Sequence, residues 1–87
     1  MIRVTSIEYK LRDGDEKVEA DLSVIFDYTI KISGFQIVRA VRDMGLIRLR
    51  VLEVQFPNNI NLLLHSDKVQ MANDILDEFK RVRNIPL

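Results

Sequence analysis

The chain contains no cysteine and no tryptophan, it has a single histidine, and its thirteen basic residues are balanced by thirteen acidic ones. Without cysteine there is no disulfide framework and no thiolate site, which fits a reducing compartment. A net charge of zero provides no general attraction to nucleic acid or to anionic membranes, so such binding requires a local basic patch. No apolar run approaches the ~18 residues of a membrane-spanning helix, and the first residues do not resemble a signal peptide. These absences predict a cytoplasmic protein with no membrane partner.

Catalytic and metal-binding motifs are also missing. The single histidine, His65, has no second histidine and no cysteine with which to hold a metal ion. Acidic residues cluster at positions 13–16 and 74–78, where the first cluster is typical of a solvated turn and the second of an exposed helix face. The three glycines are isolated from one another, so they form no phosphate-binding loop. We therefore expect neither an enzyme nor a cofactor.

The length of 87 residues suits a single domain over residues 1–87. A chain of this size can fold alone, but it buries only a thin core, so association with a second copy would add stability. We therefore expect a homodimer.

Alternation of apolar and polar residues predicts an antiparallel sheet. Val18–Phe26 is apolar at every second position, with only Ile25 out of phase. A first run, Ile2–Leu11, precedes it, and two further β-rich runs follow at Ile30–Val41 and Leu46–Phe56. Short turns separate these runs, so each is expected to pair with the next. The residues after them, 60–64, are either a short strand or a connector.

Local irregularities refine this picture. The alternation changes phase near Thr5, which predicts either a β-bulge or two short strands, and again near Gly34, which predicts a β-bulge. The segment Asp43–Gly45 is predicted as a three-residue loop, and that loop places Val41 opposite Ile47.

The segment after Ser66 is predicted to form one helix. Ser66 can cap its first turn, and Asn84 can end it in a left-handed conformation. Apolar residues recur at steps of three and four and should lie on the sheet: Val69, Ala72, Ile75, Leu76, Phe79 and Val82. The predicted fold class is α+β, an antiparallel β-sheet meander of about four to five strands covered by one C-terminal helix.

Basic residues in the second hairpin and at the end of the helix are the candidate nucleic-acid-binding residues: Arg39, Arg42, Arg48, Arg50, Lys80, Arg81 and Arg83. Arginine side chains suit phosphate oxygens because their planar forks donate two hydrogen bonds. In the three-residue-loop register, Arg42, Arg48 and Arg50 share one face of the sheet, whereas Arg39 lies on the other. The alternative is that these arginines are simply the polar side of a half-buried sheet.

Several segments resemble the stage V sporulation protein G family of septation regulators. Residues 4–10, Val-Thr-Ser-Ile-Glu-Tyr-Lys, are similar to the family's opening strand, Ile-Thr-x-Val-Arg-Leu-Arg. The family's Ala-x-x-Ser-Ile-x-Phe-Asp is matched by Ala20, Ser23, Val24, Phe26 and Asp27. Its next strand is matched by Ile30, Ile32, Phe35, Ile37 and Val38, and its Gly-Leu-Phe by Gly45, Leu46 and Ile47. Its closing helix is matched by Ser66, Lys68, Ile75, Glu78 and Phe79.

The resemblance implies a small homodimeric regulator of septation or sporulation that binds DNA or RNA. The family's Pro-Ser-Lys/Arg segment is replaced here by Val51, Leu52 and Glu53. The alternative function is a protein-interaction module whose exposed strand edges and apolar dimer face bind a partner without nucleic acid. A continuous stripe of arginines would favour nucleic acid, whereas carboxylates between the arginines would favour the interaction module.

Overall fold

A computed structural model describes residues 3–58 and 65–84 of the chain. Its elements are four β-strands and one α-helix: β1 (Val4–Leu11), β2 (Val18–Phe26), β3 (Ile30–Met44), β4 (Ile47–Gln55) and α1 (His65–Val82). The strands form one antiparallel sheet in the order β1-β2-β3-β4. The predicted α+β class is confirmed. Segment 60–64, predicted as a strand or a connector, lies outside the described residues.

The first two turns follow from local chemistry. Between β1 and β2, the Asp15 carboxylate accepts backbone N–H groups of Lys17 (2.9 Å) and Val18 (2.8 Å), which holds the chain where β2 begins. Between β2 and β3, Asp27 and Tyr28 have φ values of 51° and 63°. Positive φ at both central residues is the requirement of a type I′ turn, whose twist matches that of the strands.

Both predicted β-bulges are confirmed. The β1–β2 pairing shifts between Val4 and Ser6, and Thr5 at this point donates its hydroxyl to the Ile25 carbonyl (3.1 Å). The β2–β3 pairing skips Gly34, which has φ +97°. A Cβ atom at this glycine would lie 3.1 Å from the Cβ of Pro57, so the bulge also allows close packing of the segment that follows β4.

The predicted register of the last hairpin is wrong. Instead of the three-residue loop Asp43–Gly45, β3 continues to Met44 and β4 starts at Ile47, which leaves a two-residue turn. Val41 consequently lies opposite Arg50 and not opposite Ile47. The turn contains Gly45 at φ +69°, and two-residue turns with positive φ suit the right-handed twist of paired strands.

The core lies between one face of the sheet and α1. Its nine clustered buried residues come from β2, β3 and α1: Ala20, Leu22, Val24, Phe26, Phe35, Ile37, Met71, Ile75 and Phe79. The alternation predicted for β2 appears as strict alternation of buried and half-buried side chains. Phe79 is fully buried, and its ring lies nearly perpendicular to the ring of Tyr9 at a centroid distance of 5.7 Å. This contact fixes α1 against β1.

The C-terminal end of α1 follows the prediction, whereas the N-terminal end does not. The helix starts at His65, so Ser66 lies within the helix and not at the predicted cap position, and the side chains of these two residues lie outside the described set. At the other end Asn84 has φ 58°, and its N–H donates to the Arg81 carbonyl at 3.1 Å. The predicted left-handed helix end is therefore confirmed.

The buried stripe of α1 is narrower than predicted. Ile75 and Phe79 are buried as expected, but the third buried helix residue is Met71, which the prediction omitted. Val69 and Val82 were predicted in the stripe and remain exposed. Residues four apart lie nearly in line along a helix, so the contact with the sheet follows the line from residue 71 to residue 79 and leaves the flanking valines in solvent.

Candidate interaction surface

A projecting hairpin dominates the surface of the molecule. β3 has 15 residues whereas β2 has nine, and the first residue of β2, Val18, pairs with Val38. Past the hydrogen bond from Arg39 N–H to the Lys17 carbonyl (2.8 Å), β3 has only β4 as a neighbour. Residues 40–51 therefore form a two-stranded extension, which we call the arm. The molecule measures 42 × 29 × 25 Å.

The arm and its base carry four of the predicted nucleic-acid-binding arginines, but not on the predicted faces. Arg39, Arg48 and Arg50 lie on the face that carries Ile37, and Arg42 lies on the opposite face. The prediction that Arg42 shares a face with Arg48 and Arg50 is wrong. The true register differs from the predicted one by three residues, and an odd shift exchanges the faces of one strand relative to the other.

Carboxylates interrupt the basic residues. Four of the seven candidates form ion pairs: Arg39 with Glu19, Arg42 with Glu53, Arg48 with Asp43 and Arg81 with Glu78. The hydrogen bond from Arg81 lowers the pKa of the Glu78 carboxyl, so this carboxylate stays charged. Exposed pairs of this kind add little stability. However, each ion pair neutralises an arginine whose positive charge would otherwise attract the phosphate groups of a nucleic acid.

The other three candidates have no carboxylate within 4 Å among residues 3–58 and 65–84. Arg50 is on the arm, whereas Lys80 and Arg83 are near the end of α1. The Nε atom of Arg83 is buried and makes no hydrogen bond to the described residues. The uncompensated cations are thus divided between two elements and do not form one stripe along the hairpin.

The arm is instead rich in exposed apolar side chains: Val41, Met44, Leu46, Ile47 and Leu49. On the face turned away from α1, Ala40 lies opposite Val51 and Met44 opposite Ile47, with Leu49 between these pairs. We call the residues on this face the apolar strip: Ala40, Met44, Ile47, Leu49 and Val51. Sequence analysis missed the arm. The available signal was that the third β-rich run is longer than the strand with which it first pairs.

A concavity of about 830 Å³ lies where the arm joins the body. Its walls include Asp15 and Glu16 from the β1–β2 turn, Arg39 and Arg50 from the arm side, and apolar atoms of Leu52. Arg39 donates to the Asp15 carbonyl oxygen at 2.6 Å, so one of the two arginines is held by the turn. The concavity combines both signs of charge with apolar surface, as protein interfaces do.

Two carboxyls, one in this turn and one on the adjoining strand β2, have lowered pKa values. The pKa of Asp21 is lowered chiefly by hydrogen bonds from Arg12, whose Nε lies 2.7 Å from the carboxylate. The pKa of Asp15 is lowered chiefly by the backbone N–H of Val18. Both shifts favour the charged form, which is the opposite of what a general acid needs.

The described residues contain neither a metal-binding cluster nor a membrane-spanning helix. In the described ranges, no group of three or more histidine, cysteine or acidic side chains could hold a metal ion. No helix in the same part of the chain is long and apolar enough to cross a membrane.

Comparison with family models, with curated proteins and with solved structures gives no match to this chain. The resemblance to the stage V sporulation protein G family therefore stays a prediction.

Proposed function

We propose that the chain is a small protein-interaction module that acts as a homodimer through its arm. The observation that carries the proposal is the apolar strip, which lies on an arm whose Arg42 and Arg48 are paired with carboxylates. Contiguous exposed apolar surface on a small protein is typical of an interaction site. An isolated two-stranded hairpin is only marginally stable in water, so the arm gains order from a partner. A cytoplasmic location belongs to the same proposal and is supported by the absence of cysteine.

Nucleic-acid binding is the second candidate, and the observation in its favour is that three of the candidate cations, Arg50, Lys80 and Arg83, form no ion pair with the described residues. If each contacted one phosphate of duplex DNA, the slope of log affinity against log salt would be about −2.7. Such binding would show little sequence preference, because contacts to phosphates position a protein without reading bases.

Sedimentation velocity and gel shift together test the two candidates. We expect a dimer at ~100 μM, a concentration above most obligate-dimer dissociation constants. The Val51→Asp variant should be monomeric because it places a charge on the half-buried part of the apolar strip. Its control is Ile30→Asp, which places the same charge at the start of β3, far from the arm, on a side chain that is 49% exposed. This control should remain dimeric.

The gel shift uses random DNA and RNA at ~50 and ~200 mM salt, a range over which phosphate contacts lose most of their strength. We expect no shifted band at either concentration. A monomer that shifts nucleic acid at the lower salt would contradict the proposed function and favour the second candidate.

A further inference from the structure

We infer that the partner of the arm is a second copy of this chain, and that the two copies join edge to edge along β4 in antiparallel register, with Val51 on the two-fold axis. This inference rests on the proposed function and adds the mode of association. The sheet of the dimer would be continuous, and each arm would lie along the body of the partner.

The outer edge of β4 is built for pairing. β4 is the last strand of the sheet, so in the part of the chain that the structure describes its outer N–H and C=O groups face no other strand. It runs over Ile47–Gln55 without proline, and its pairing with β3 has no bulge. β1, the other edge strand, is interrupted by the bulge at Thr5. Bulges protect edges from pairing, whereas long regular edges invite it.

Symmetry limits the possible registers. A two-fold axis perpendicular to the sheet keeps the even-numbered residues of both copies on one face. Directly opposite residues share a face, so even-numbered residues must pair with even-numbered ones. The axis must therefore pass through a residue of β4 and not between two residues. With the axis at Val51, all nine residues of the strand are paired and Ile47 lies opposite the partner's Gln55. On the same face, Leu49 lies opposite the partner's Glu53. No residue then faces a charge of its own sign.

Other positions of the axis are worse. An axis at Arg50 places that arginine opposite the partner's Arg50, and an axis at Leu49 places Arg48 opposite the partner's Arg50. An axis at Glu53 brings two carboxylates together. Like charges directly opposite each other destabilise a strand pair. An axis at Leu52 avoids such pairs, but it shortens the paired segment by two residues. The register with the axis at Val51 is therefore favoured, because it has the longest paired segment and places no like charges opposite each other.

Packing of the two apolar strips face to face is the competing arrangement. Arg42 lies on the same face of the sheet as the apolar strip. It forms an ion pair with Glu53, and Val51 lies between these two residues on that face. Face-to-face packing would remove this pair from water, and the desolvation penalty of a buried ion pair can exceed its attraction. Edge pairing leaves Arg42 and Glu53 in solvent. It also gives each arm a third strand, supplied by the body of the partner.

The absence of cysteine makes the register testable by single-cysteine crosslinking. In Val51→Cys the two introduced thiols face each other across the axis, where opposite Cα atoms are ~4.5–5.5 Å apart, within the range of a disulfide. The matched control is Leu49→Cys, on the same strand and face, whose copies are offset by four residues, or ~13 Å. Under glutathione disulfide, Val51→Cys should form covalent dimer at least ten times faster than Leu49→Cys.

A double variant, Leu49→Cys with Glu53→Cys, checks the same register independently. It should crosslink as readily as Val51→Cys, because residue 49 of each copy then faces residue 53 of the other. If the protein sediments as a dimer but Val51→Cys crosslinks no faster than Leu49→Cys, the edge mode is refuted while the proposed function stands. If the unmodified chain is monomeric at ~100 μM, both fail.

Discussion

Removal of the Phe79 ring should be the most damaging single truncation among the residues of α1. Phe79 is fully buried in the core, and its ring forms a T-shaped contact with the ring of Tyr9 on β1. Alanine at this position leaves a cavity between the helix and the sheet and also ends the aromatic contact. The variant therefore reports directly on whether α1 is docked on the sheet.

The expected cost follows from the size of the side chain. Phenylalanine-to-alanine changes in cores cost ~3–5 kcal/mol of unfolding free energy. Loss of the aromatic pair contributes ~0.5–1.5 kcal/mol of this cost. The higher helix propensity of alanine offsets at most ~0.7 kcal/mol of it. A chain of 87 residues is expected to have ~4–13 kcal/mol in total. Since 1 kcal/mol corresponds to ~4–8 °C in a small domain, the Tm of Phe79→Ala should fall by more than ~10 °C.

Urea unfolding at a fixed protein concentration provides the measurement, because the stability of a dimer depends on concentration. The matched control is Val69→Ala on the same helix, where the side chain is 48% exposed and the cost should be below ~1 kcal/mol. A Phe79→Ala variant that unfolds at the same urea concentration as Val69→Ala would refute the docking of α1.

Two further predictions concern the bulge and the β1–β2 turn. Gly34→Ala should lower the urea midpoint by more than Gly14→Ala does. Both glycines have positive φ, so alanine at either position has a backbone cost of ~1 kcal/mol. Only at position 34 would the new methyl group also lie 3.1 Å from the Cβ of Pro57, and this close contact adds to the cost. Because folding lowers the pKa of Asp15, its charged form contributes stability above the ordinary aspartate pKa, and this contribution disappears as the pH falls through the folded-state pKa. Asp15→Asn should therefore flatten the loss of stability measured by thermal unfolding below about pH 4, whereas an unchanged acid slope would contradict the assigned hydrogen bonds.

The local features of the fold could be predicted from the sequence because each depends on neighbouring residues. The buried face of β2 follows from its alternation, and the bulges at Thr5 and Gly34 follow from changes in the same alternation. The end of α1 at Asn84 follows from the ability of asparagine to adopt positive φ. These preferences act within a few residues, so distant contacts did not override them.

The candidate surface depended on distances that no local pattern encodes. The last turn is one residue shorter than predicted and lies further along the chain, which shifted the strand pairing by three residues and moved Arg42 to the other face from Arg48 and Arg50. Met71 is buried and Val69 exposed because the line of contact on the sheet selects one side of the helix. Sequence analysis could identify the basic residues, but not the carboxylates that meet them.

By itself, the sequence determined an α+β chain with consecutive antiparallel strands, one covering helix, the two bulges near Thr5 and Gly34, and the C-terminal end of the helix. Only the tertiary structure decided that β3 and β4 extend past β2 as an arm and that Glu53 meets Arg42 there. The physical reason is that strand overlap and ion pairing depend on where separate strands begin and end relative to one another. Hydrophobic alternation determines which face of each strand is buried, but it is nearly unchanged when a strand slides along its neighbour by two residues.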